Sequence, residues 1–181
     1  DVMLLQEINI NSENEEMLFS SNTSIRGYGT AIYSKEPVSR ITQIQSPYAE
    51  FGGFIFKKTI IATTAGVQYV SFHGYNGQPF KDVSKLVAHI DAVLSVISPT
   101  GPVIFAGDFN TWSVEHFEAI KTPLESAGFS HSYSWPYPGR ETPLDHVFLR
   151  GVELKDSAYF SNESDHLGAV LELSVQGGPP I

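Results

Sequence analysis

The sequence predicts an α/β fold, a layered sandwich on mixed β-sheets, and three observations predict it. Segments with strand character outnumber helical ones by about three to one. The helical segments lie between strands, as crossover connections do. Strand-like runs repeatedly end in carboxylate, amide or imidazole residues, so the polar chemistry collects at sheet rims. At 181 residues the chain fits a single domain with a substantial core, assigned to residues 1–175 with a tail at 176–181.

In order, the apolar opening that runs into Gln6-Glu7 reads as a strand ending in a carboxylate. Residues 9–22 are polar and acidic and read as a loop or short surface helix. A strand entered through Gly27 and Gly29 ends at Lys35-Glu36-Pro37, and residues 38–45 alternate as a half-exposed strand does. Residues 51–64 and 67–73 are β-branched and aromatic and read as two antiparallel strands joined by Ala65-Gly66, the second ending at His73. Over residues 82–98, Val83, Leu86, Val87, Ile90, Val93, Leu94 and Ile97 keep helical spacing, which assigns His89 to the solvent side. Ser113 caps a second helix, interrupted near Pro123 and closed by Gly128. Residues 130–142 read as a long loop, and residues 144–149 and 167–175 as the last strands.

The stretch with most chemical content is Gly107-Asp108-Phe109-Asn110, which follows the apolar run Val103-Ile104-Phe105-Ala106. In extended chain, side chains two apart share a face, so Asp108 and Asn110 point together while Phe109 turns into the core. A carboxylate takes a proton or holds a metal, and an amide both donates and accepts. A plain turn is the competing reading of the same four residues.

Composition limits the chemistry. The formal charge is -9 with no Lys/Arg cluster, which disfavours tight non-specific duplex binding and means that a phosphate substrate calls for a bound cation. There is no cysteine, so disulfides and thiolate zinc sites are excluded and any metal takes oxygen or imidazole ligands. No apolar run of about 18 residues and no basic-then-apolar leader is present; a soluble protein is expected, cytoplasmic or secreted.

Glu7, His73, Asp108 with Asn110, Asp145, and Asp165 with His166 all fall at strand ends. Each alone has an ordinary structural role open to it: a surface ion pair, a core histidine, a helix or turn cap. Their order, through Leu5-Gln6-Glu7, residues 29–35, His73, Gly107-Asp108-Phe109-Asn110, Leu144-Asp145-His146-Val147-Phe148 and Ser164-Asp165-His166, resembles the endonuclease/exonuclease/phosphatase superfamily. That superfamily includes pancreatic deoxyribonuclease, abasic-site endonucleases, neutral sphingomyelinases and inositol-polyphosphate 5-phosphatases. The resemblance implies a four-layer α/β sandwich, two mixed β-sheets packed face to face with helices outside and the active site at one end. It implies Glu7 as principal ligand of Mg2+ (or Mn2+ or Ca2+), with Asp165 nearby. Asp108 would orient or deprotonate water, with Asn110 holding water and phosphate. His166, paired with Asp145, would contact the scissile phosphate, and His73 would serve as the second histidine.

The implied partner is a phosphodiester: nucleic acid, phospholipid or a small phosphoester, with nucleic acid slightly favoured. A fold-retaining binding module without turnover is the alternative from another class. Trp112, Trp135, Tyr137 and Arg140 are candidates for a substrate rim, by stacking or by phosphate contact. His146 alternates away from Asp145 and is expected on a sheet surface. The chain begins at the family's Leu-Gln-Glu block, without the preceding strand and its metal-site Asn. An exposed pairing edge and a weak metal site are therefore expected.

Overall fold

A computed structural model describes residues 1–9, 17–21 and 27–176. The elements are β1 (Val2–Ile8), β2 (Leu18–Ser21), β3 (Gly29–Ser34), β4 (Val38–Gln45), β5 (Lys58–Thr64), β6 (Val67–His73), α1 (Val83–Leu94), β7 (Val103–Asp108), α2 (Val114–Ser126), β8 (Ser130–Trp135), β9 (Asp145–Arg150), β10 (Val152–Phe160) and β11 (Gly168–Val175). Six strands form one mixed sheet in the order β4-β5-β6-β7-β9-β8, with β6 and β7 its parallel pair. An α-helix supplies the β6-to-β7 crossover that a parallel pair needs, and it is α1.

Period-2 alternation divides the core in two. Odd and even positions of β7 send Val103 and Phe105 to one face and Ile104 and Ala106 to the other. The first face packs against Leu86, Ile90 and Val93 of α1 and Ile120 and Leu124 of α2. Four fully buried phenylalanines, Phe72, Phe105, Phe109 and Phe148, interlock there with ring centroids 4.9–5.4 Å apart. Each such side chain contributes roughly 1.5–3 kcal/mol by burial. The second face packs against a further layer, made of the antiparallel sheets β1-β3-β2 and β10-β11. This is the expected α/β sandwich; among the described residues both helices cover the same face of the six-stranded sheet.

Among the described residues β1 pairs only with β3 and β11 only with β10, so each keeps one unpaired edge. Consecutive residues 1–7 and 167–171 border a cavity of about 660 Å³, as strands do only along an edge.

Several local expectations change. β2, β8 and β10 form where no strand is expected, because pairing with β3, β9 and β11 overrides weak local pattern. β5 starts only at Lys58; Gly52 and Gly53 adopt positive φ, and Phe51 and Phe54 are exposed. α2 runs through Pro123 to Ser126, since a proline near the last turn removes little of the ladder. The proposed tail lies, from residue 177, outside the described residues, as does much of 9–22.

His89 corrects the solvent assignment. It lies three residues after Leu86 and one before Ile90, on the buried stripe, and is fully buried with its ring 4.8 Å from that of Phe72. Among the described residues neither ring nitrogen has a hydrogen-bond partner. Burial, reinforced by the charge of Lys57, lowers its pKa to about 3. Above pH 6.5 the ring is neutral in both states; below it only the unfolded chain takes up the proton, so stability falls with pH down to about 3, by on the order of 5 kcal/mol. His89→Leu should raise stability by about 1–3 kcal/mol at neutral pH and flatten this acid limb. Urea unfolding at pH 7.5 and pH 5 checks it; a less stable variant at both would show that the imidazole has a stabilising role.

Candidate active site

Strand register assembles the centre. Cα pairing sets His73 of β6 beside Asp108 of β7, and Asp108 beside Asp145 of β9. All three share the parity of Ile104, Ala106 and Val147, so they face the second layer at one end of the six-stranded sheet. Gly107 is required here: its φ is +143°, and an added Cβ would lie 2.0 Å from the carbonyl oxygen of Phe72.

The second layer brings Glu7 to the same end. Gln6 Nε2 donates to Ser71 Oγ at 2.9 Å, and Ser71 Oγ donates to the carbonyl of Leu5 at 3.0 Å, which fastens β1 to β6. A register shift between Leu5 and Ile8 accompanies φ +53° at Glu7, placing its carboxylate 3.4 Å from His73 Nε2. Strained backbone of this kind collects at sites where a side chain must be aimed. Asn110, with φ +55°, is the other such residue of the centre.

Asp108 is held tightly. Its Oδ1 accepts from the backbone N–H of Asn110 at 2.8 Å, and its Oδ2 from Asn110 Nδ2 at 3.2 Å. The same amide donates to the carbonyl of Gly74 at 3.0 Å. Oδ2 lies 3.5 Å from His73 Nε2 and 4.0 Å from His166 Nε2. Burial, with the Asp145 carboxylate second, pushes Asp108 up to about 7. His166 Nδ1 donates to Asp145 Oδ2 at 2.7 Å. Burial alone would lower the pKa of this imidazole, but the hydrogen bond to Asp145 and the carboxylates of Asp145, Asp108 and Asp165 outweigh it and raise it to about 9. His166 is therefore cationic at neutral pH, with Nε2–H free to reach an anion.

Lys57 is the residue that the sequence does not announce. It is buried, with Nζ 2.6 Å from His73 Nε2 and 3.8 Å from Glu7 Oε1. An ammonium only donates, so His73 accepts; burial first and Lys57 second hold His73 well below the usual imidazole range, hence neutral. The available signal is the Lys57-Lys58 pair at a strand start, where one of two adjacent lysines turns inward.

Glu7, Asp108, Asp145, Asp165 and His166 border the 660 Å³ cavity. Asp165 is exposed and lies 3.5 Å from the hydroxyl of Tyr137. Among the described residues no group of three or more His, Asp or Glu side chains is arranged around one metal position. Glu7 and Asp165 both line the cavity and both are hard oxygen donors, the ligand type that magnesium takes.

The rim divides. Trp112 donates from Nε1 to Asn76 Oδ1 at 2.8 Å and Asn110 Oδ1 at 3.2 Å; Arg140 lies over its ring, and the Tyr137 ring is 4.8 Å from that of His166. Trp135 lines the cavity from its wall instead of standing on the exposed rim. It is buried between the layers, donates to the carbonyl of Leu167 at 2.8 Å and stacks on Tyr133, because β8 continues through it. His146 corrects its surface assignment too. It alternates away from Asp145 as expected, but α2 covers that face, and the ring is buried against Phe117 with nitrogens 2.6 Å from Thr111 Oγ1 and 3.0 Å from Ser134 Oγ.

The sequence matches the profile of the Endonuclease/Exonuclease/phosphatase family over residues 1–166. The chain belongs to this family. A UPF0294 protein of Vibrio cholerae serotype O1 (strain ATCC 39315 / El Tor Inaba N16961) is 47% identical over 73 residues, 37% of this chain and 26% of that protein. The match thus spans about a quarter of that relative's length. The endonuclease/exonuclease/phosphatase from Beutenbergia cavernae DSM 12333 superposes with a TM-score of 0.78 at 17% identity, covering 99% of this chain and 64% of that one. D. rerio TDP2 complexed with single strand DNA product superposes with a TM-score of 0.63 at 20% identity, covering 97% and 86%. No described helix is long and apolar enough to cross a membrane.

Proposed function

We propose that the chain is a divalent-metal-dependent phosphodiesterase acting on nucleic acid. The observation that carries this reading is the facing pair at the sheet end: a buried carboxylate with pKa near 7, Asp108, 4.0 Å from a cationic imidazole, His166. Hydrolysis of a phosphodiester needs water aligned in line, a proton acceptor for it, and positive charge for the phosphoryl and leaving oxygens. Asp108 accepts the proton from water. Asn110, whose amide bridges Asp108 and Gly74, keeps that carboxylate aimed. His166 donates from Nε2 to the phosphate, with Asp145 fixing its ring and charge. Lys57 adds a positive charge on the His73 side, where His73 is its acceptor. Glu7 and Asp165 would hold the ion, magnesium by preference and manganese or calcium otherwise; when bound it supplies Lewis-acid stabilisation of charge on the phosphoryl oxygens.

Nucleic acid is preferred among phosphodiesters because the superposable TDP2 holds a DNA product and because stacking and cationic groups, Tyr137 and Arg140, flank His166 and Trp112. Purified protein incubated with single-stranded DNA, duplex DNA, RNA, sphingomyelin and bis-p-nitrophenyl phosphate, with magnesium or EDTA, tests it. EDTA-sensitive turnover of a nucleic acid and of the chromogenic diester is expected. Turnover of sphingomyelin alone would transfer the site to lipid, and no turnover on any would overturn the reading.

A further inference from the structure

Lys81 and Arg140 converge on one side chain beside the candidate centre. Lys81 Nζ lies 3.1 Å from the centre of the Trp112 ring and Arg140 Cζ lies 4.4 Å from it. Neither cation has a carboxylate within ion-pair distance among the described residues, although acidic residues outnumber basic ones 20 to 11 in the whole chain. Two like charges held together without a counter-charge are unfavourable unless an anion joins them. Burial, and then the charge of Arg140, lowers the pKa of Lys81, in keeping with this crowding.

The cluster is built rather than loosely displayed. Lys81 adopts φ +44°; its N–H donates to the carbonyl of Gly77 at 2.7 Å, and its carbonyl accepts from His116 Nε2 at 2.7 Å. His116 is itself set by Ser113 Oγ, 2.7 Å from Nδ1, at the start of α2. Arg140 closes a turn onto the carbonyl of Tyr137. The Trp112 ring that both cations face is fixed by its hydrogen bonds to Asn76 and Asn110. Asn110 in turn grips Asp108, so the cations are joined to the proton acceptor through two side chains, Trp112 and Asn110.

We propose that Lys81 and Arg140 form a second phosphate subsite, which binds a phosphate of the same nucleic-acid strand neighbouring the one that is cleaved. This inference rests on the phosphodiesterase reading and adds to it a requirement for a substrate with at least two phosphates. Cation–π contact with Trp112 leaves the Lys81 ammonium hydrogens and the Arg140 guanidinium edge for phosphate oxygens. Phe80, 90% exposed and adjacent to Lys81, offers a stacking face for the intervening base.

The test compares thymidine oligonucleotides that carry one phosphate (TpT), two (pTpT and TpTp) and three (pTpTpT), with bis-p-nitrophenyl phosphate as the single-phosphate control. For the wild type, kcat/KM should rise roughly 10- to 100-fold when the further phosphates are added, the size of one charge-assisted contact set. In Lys81→Gln/Arg140→Gln that gain should vanish, the ratio of kcat/KM for pTpTpT to that for TpT falling to about 1. The salt dependence of pTpTpT binding should become shallower, by about 0.7 in log–log slope for each lost contact. Equal loss on TpT would show that the cations act at the scissile phosphate, and no gain from added phosphates would overturn the subsite. Affinities of the same ladder for the Asp108→Asn variant keep the two readings apart: phosphate-dependent binding lost with Lys81 and Arg140 supports the subsite even without hydrolysis, and its absence refutes the subsite alone.

Discussion

Replacing Asp145 with Asn is expected to lower kcat by about 10²- to 10⁴-fold, the range of a general acid deprived of its charge and orientation. Asp145 is buried, and its Oδ2 is the acceptor for His166 Nδ1 at 2.7 Å. An Asn at this position has the same shape but no charge, and its amide can present hydrogens where the imidazole needs an acceptor. His166 then loses its largest source of proton affinity, and its Nε2 is no longer aimed at the Asp108 side. Glu7 and Asp165, the carboxylates assigned to the ion, keep their charge. Magnesium affinity by calorimetry should therefore stay within a few-fold of wild type while kcat collapses. A large loss of magnesium affinity instead would make Asp145 a ligand and cancel its role as partner of His166.

Much of this centre was legible in the sequence because β-strands alternate with a fixed period. Placing Asp108 at the end of an apolar run and Phe109 in the core needed only period 2, and Phe109 is fully buried. Asp145 and His73 were found the same way, as polar residues at the ends of strands whose pairing fixes them as neighbours of Asp108. What escaped depends on long-range pairing. Lys57 lies in no recognisable motif, and only the approach of β5 to β6 and β1 sets its ammonium against His73 and Glu7. Lys81 gains meaning only when the loop after His73 folds against α2 and meets Trp112.

The misassignments have local causes. His89 falls outside the apolar stripe when only apolar residues define it, although its position, i+3 from Leu86, is on it. His146 was placed correctly by parity, but a face judged open is covered by Phe117 of α2. Trp135 sits in a Pro-rich aromatic stretch that resembles a surface loop, yet pairing of β8 with β9 carries it to the register position opposite Asp145, buried in the wall of the cavity. In each case tertiary packing, and not a different propensity, decided the outcome.

Asp108→Asn should remove at least 10²-fold in activity and yet make the protein more stable at alkaline pH. The folded state raises the pKa of Asp108 to about 7, whereas an unfolded Asp titrates near 3.9. Below about pH 4 both states hold the proton and the group is neutral to folding. Between pH 4 and 7 the unfolded chain ionises first, so stability falls as pH rises, and above 7 the full penalty is present, on the order of 4 kcal/mol. Asn carries no such penalty, but its NH2 cannot accept from Asn110 Nδ2, which costs about 1 kcal/mol. The variant should therefore be slightly less stable than wild type at pH 4.5 and more stable by on the order of 2–3 kcal/mol at pH 8. Urea unfolding at the two pH values measures the crossover directly. A variant destabilised equally at both would mean that Asp108 is a structural ion-pair partner of His73 and His166, held comfortably ionised, and that the carboxylate is not poised to take a proton from water.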